Sequence, residues 1–99
     1  MQNTNLTKLF NNAQHNVNVF MKTGKLYYLS RAEKLLEKEL HNYKIGEETY
    51  NTILSKWKRI HELYLLNSSI GFLDGRQALG YEFIIENGIV TGERRVRFA

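Results

Sequence analysis

Residues 79–98 read LGYEFIIENGIVTGERRVRF, and this stretch decides the fold. Asn87-Gly88 separates two runs rich in aromatic and β-branched residues. A type I′ turn needs positive φ at both central positions, which Asn and Gly tolerate best. The stretch therefore predicts an antiparallel hairpin, Leu79–Glu86 against Ile89–Phe98. Leu79, Tyr81, Phe83 and Ile85 alternate onto one face. The simple register pairs Ile85 with Val90 and Leu79 with Val96. It also sets Glu82 opposite Glu93, and like charges directly opposite are unfavourable. Gly92 is a candidate for a bulge that shifts this pairing.

Upstream of the hairpin the period becomes helical. Residues 5–22 place Leu6, Leu9, Phe10, Ala13, Val17, Phe20 and Met21 on one helical face. Thr4 or Asn5 suits the N-cap of this helix, and Gly24 its C-terminus. Residues 31–43 predict a second helix, with Ser30-x-x-Glu33 as a capping box. Its apolar stripe is Leu35, Leu36, Leu40 and Tyr43; Glu33, Lys34, Glu37 and Lys38 are expected in solvent. Residues 25–29 fit an earlier turn of that helix or a short strand. Residues 47–66 predict a third helix, with Tyr50, Ile53, Leu54, Trp57, Ile60, Tyr64 and Leu65 on one face. Glu47 and Glu48 fall in its first turn, where negative charge suits the helix dipole. Residues 70–73 are expected to add a strand before an Asp74-Gly75 turn.

The expected fold class is α+β, about three helices followed by a C-terminal antiparallel β-hairpin or small sheet, with one sheet face on the helices. A length of 99 residues gives one domain, helical over 1–67 and β over 70–99. Hydrophobic residues make up 42% of the chain, enough for a core without a metal or disulfide.

Several chemistries are excluded by composition. The chain has no cysteine, which removes disulfides, thiolate metal sites and Cys nucleophiles together. His15, His41 and His61 lack metal-ligand spacing, and the seven glycines form no phosphate-binding loop. No cofactor or metal is expected. No serine lies in a nucleophile elbow. The first twelve residues, MQNTNLTKLFNN, lack the apolar run of a secretion signal, and no apolar run is long enough for a membrane span. A cytoplasmic protein without membrane contact is the expectation.

Charge supplies the functional signal. The net charge is +4, and Arg94, Arg95 and Arg97 cluster near the C-terminus. Lys56 and Arg59 flank Trp57 on the third helix. Arginine suits bidentate contact with carboxylates or phosphates. Trp57 on the apolar stripe reads as a core anchor, and edge-strand arginines also serve to block aggregation.

Arg94, Arg95, Arg97, Lys56 and Arg59 are thus the candidate binding residues. The expected function is non-catalytic binding, as a stoichiometric regulator or inhibitor of a larger protein or nucleoprotein partner. An Asn- and Lys-rich chain without proline fits a phage or mobile-element source. The alternative is DNA or RNA binding in a winged-helix-like order, with the third helix in the major groove. Glu47 and Glu48 at the entering end of that helix oppose it. A third reading is a metal-independent toxin-type ribonuclease using Tyr81, Arg94 and Arg97. The edge of the C-terminal strand is a candidate homodimer contact.

Overall fold

The computed structural model describes residues 2–96, with side chains from Leu6 onward. Four helices precede a two-stranded antiparallel sheet: α1 (Gln2–Thr23), α2 (Leu26–Leu40), α3 (Glu48–Ser68), α4 (Ile70–Ala78), β1 (Tyr81–Glu86) and β2 (Ile89–Arg95). The class is α+β as expected, with one helix more.

Helix α1 buries Ala13, Val17 and Phe20 from the expected stripe. It begins upstream of Thr4 and Asn5, so neither is its N-cap. Gly24 ends it at φ +71°, and its N–H donates to the Phe20 carbonyl at 2.7 Å. α2 follows after two residues, Gly24 and Lys25. Residues 26–29 are helical, and Ser30 lies a turn inside α2 rather than capping it. The reason is energetic. Leu29, Ala32 and Leu36 have no exposed surface, so the apolar stripe already runs through Leu29, ahead of the capping box. Burying a leucine contributes about 1.5–3 kcal/mol, and an N-cap about 1 kcal/mol.

Residues 70–73 are not a strand, and Asp74-Gly75 is not a turn; both lie in α4. The Ser69 hydroxyl caps that helix, accepting the Phe72 N–H at 3.1 Å. Helical structure thus runs to Ala78, and the β part begins at Tyr81 rather than at residue 70.

The hairpin turns at Asn87 (φ 53°) and Gly88 (φ 78°), the positive pair a type I′ turn requires. Ile85 pairs with Val90 as the simple register demands. Beyond it the ladder shifts by one, giving Ile84–Gly92, Phe83–Glu93, Glu82–Arg94 and Tyr81–Arg95. The bulge removes the Glu82–Glu93 clash and puts Glu82 in an ion pair with Arg94. The Leu79–Val96 pairing is lost with it; the Val96 N–H donates to the Gly80 carbonyl instead.

Helices α1 and α3 both pack on α2, which forms the centre of the core. Ile89 of β2 is buried in the same cluster, against Gly24, where an added Cβ would lie 3.6 Å from the Ile89 Cδ1. The molecule measures 50 × 31 × 19 Å, with a radius of gyration of 15.1 Å. A compact chain of this length has about 13 Å. The excess fits an open helical layer, in which α1 and α3 flank α2 without closing over it.

Candidate functional site

The open side of that layer is a groove of about 390 Å³. One wall is Phe10, Ala13, Val17 and Met21 of α1, spaced three or four residues apart and so on one helical stripe. The other is Ile60, Leu63 and Leu66 of α3, with Leu36 of α2 at the floor. Thr91, Gly92 and Glu93 of β2 contribute to the lining as well. From Phe10 to Met21 the groove follows α1 for about 16 Å at 1.5 Å per residue.

Lys56 and Arg59 line this groove and are exposed. The Lys56 Nζ lies 4.8 Å from the centre of the Phe10 ring, bringing an α3 cation over an α1 aromatic face. Among the described residues no carboxylate forms an ion pair with Lys56 or Arg59. Glu62 also lines the groove. The other acid there, Glu93, is held by Arg76 of α4 in a two-pronged ion pair, with the Arg76 Nε 3.0 Å from one carboxylate oxygen. That hydrogen bond raises the Arg76 pKa further above its ordinary value, against a smaller opposing effect of burial. The Arg76 guanidinium also lies 4.4 Å from the Tyr81 ring centre, which fixes α4 on the sheet.

The sequence-predicted residues therefore separate. Lys56 and Arg59 meet at the groove. Arg94 is occupied by Glu82, and the Arg95 guanidinium lies 5.9 Å from the Tyr81 ring; neither lines the groove. Arg97 lies outside the described residues. Trp57 is half-buried and packs against the core, and its indole N–H donates to Glu37 at 3.0 Å.

Sequence reasoning missed two polar joints. The Glu33 side chain, expected in solvent, is only 13% exposed and lies 2.7 Å from the His61 Nδ1. His61 in turn stacks on Trp57 at 4.7 Å. The signal was present: Glu33/Glu37 and Trp57/His61 are complementary pairs at spacing four on successive helices. The second joint is Asn67, whose side chain bonds both backbone groups of Val90.

Among the described residues no three His, Asp or Glu side chains gather to hold a metal ion. No helix there is long and apolar enough to cross a membrane. Comparison with known proteins found no matching family model, no similar curated protein and no similar solved structure.

Proposed function

We propose that the chain is a small, non-catalytic, cytoplasmic binding protein that regulates or inhibits a larger protein by stoichiometric association. The groove between α1 and α3 is the docking site. Its occupant is an amphipathic helix of the partner with carboxylates beside its apolar face. One observation carries this reading: a groove about three helical turns long, of mixed polar and apolar lining, with two cations unpaired by acids beside Phe10 and Ile60. Apolar anchors supply affinity in such a groove, and rim charges set orientation and on-rate.

Two further cations and two acids favour a protein ligand over nucleic acid. Arg76 and Arg94 are neutralised within the molecule, and Glu47 and Glu48 are exposed at the start of α3. A recognition helix would bring those carboxylates to the phosphates. Fluorescence anisotropy with random-sequence duplex DNA, single-stranded DNA and RNA tests this. We expect no binding tighter than about 10⁻⁶ M at physiological salt, the tight end of the non-specific range. Tighter binding that falls steeply with salt overturns the protein-partner reading.

A further inference from the structure

We propose that β1 is a self-association strand: two copies of this chain pair antiparallel through the outer edges of β1, about a two-fold axis at Phe83, to form a four-stranded sheet.

The two edges of the hairpin are unequal. Helix α3 packs against β2 and α4 against β1, so the difference lies in the hydrogen bonds: on β2, Asn67 holds the N–H and C=O of Val90. Val90 is therefore a non-hydrogen-bonded partner of Ile85, and the backbone groups of Ile85 point away from β2. At the other end, the Val96 N–H bonds to the Gly80 carbonyl. Gly80, Glu82 and Ile84 thus face β2, while Tyr81, Phe83 and Ile85 direct their backbone groups outward. Among the described residues no strand lies beyond β1, and no hydrogen bond from another element reaches these three.

Proteins block such edges with lysine, proline or very short strands. β1 has six residues and neither lysine nor proline. Two of its three exposed side chains are apolar, Ile84 at 42% and Ile85 at 62%; the third, Glu86, is the one exposed charge and stands at the turn end of the strand. The nearer acid, Glu82, is already paired with Arg94.

Register selects the axis. With Phe83 on the two-fold, Tyr81 of one copy pairs with Ile85 of the other, and Phe83 pairs with itself. Glu82 then faces Ile84 of the second copy, and Glu86 faces its Gly80. No carboxylate opposes another. Moving the axis to Ile84 sets Glu82 against Glu86 twice, which like-charge repulsion disfavours. Pairing about a two-fold consumes both free edges, so the assembly closes at two copies. A strand-edge contact is small, and interfaces below about 1,200 Å² belong to the weak, transient class.

Sedimentation velocity of the full chain over about 1–500 μM, a range that brackets weak association, provides the test. We expect the mass to rise from 11.7 kDa toward twice that value. Ile85→Lys puts a charge on the edge at an exposed position. It should hold the chain monomeric with an unchanged circular dichroism spectrum. Ile45→Lys, the same change at an 86% exposed site in the α2–α3 loop, should dimerise like the parent. A parent that stays monomeric throughout, an Ile85→Lys variant that still dimerises, or an Ile45→Lys variant that does not, each overturns the proposal. The groove at α1 and α3 plays no part in this test.

Discussion

Asn67, near the end of α3, holds both backbone groups of Val90 in β2: its carboxamide accepts the Val90 N–H at 3.0 Å and donates to the Val90 carbonyl at 2.8 Å. The side chain does what a neighbouring strand would do at that edge. It fixes where the hairpin meets the helices and leaves β1 as the open side of the sheet.

Asn67→Ala removes both bonds and leaves two half-buried backbone groups without their partner. We expect a loss of about 1–3 kcal/mol, and faster amide exchange at Val90 than in the parent chain. Asn67→Asp turns a carboxylate oxygen toward the Val90 and Leu63 carbonyls, so it should also destabilise, and less at acid pH where the carboxyl is protonated and can donate. Thermal denaturation and amide exchange by NMR measure both effects.

The two ion pairs of the sheet should differ in weight. Arg76 and Glu93 are 26% and 15% exposed, and the contact is two-pronged. Arg94 and Glu82 are 73% and 44% exposed. A charge-assisted bond of the first kind contributes about 1.5–3 kcal/mol, and a surface pair of the second kind about 0–1 kcal/mol. Glu93→Gln should therefore lower the denaturation midpoint clearly, while Glu82→Gln should barely move it.

The hairpin was legible because its turn is local chemistry: Asn87-Gly88 allows few other conformations, and the acid-on-acid conflict of Glu82 and Glu93 pointed to the bulge. Three helices were legible from their period. The start of α2 was misread because Ser30 and Glu33 make a good cap in isolation, whereas Leu29 makes a better core residue. α4 was hidden because Asp74-Gly75 imitates a turn; the Ser69 cap and the hold of Arg76 on Glu93 are seen only in three dimensions.

Half of the candidate site was legible in the same way. Lys56 and Arg59 were found by charge, but their groove depends on how far α1 and α3 stand apart over Leu36, and no local pattern encodes that separation. The engagement of Arg94 was not legible, because sequence shows a charge and not its partner. Glu82 reaches Arg94 only after the bulge shifts the register.

The docking claim is tested most directly by paired affinity capture from the source cells, using the parent chain and a Lys56→Glu/Arg59→Glu variant of matched stability. After nuclease treatment, we expect the parent to retain one protein at about equimolar amount, and the variant to retain at least about tenfold less of it, equivalent to about 1.4 kcal/mol. Equal retention by both chains, or loss of all retained protein once nucleic acid is digested, would contradict the groove as the site and a protein as its ligand.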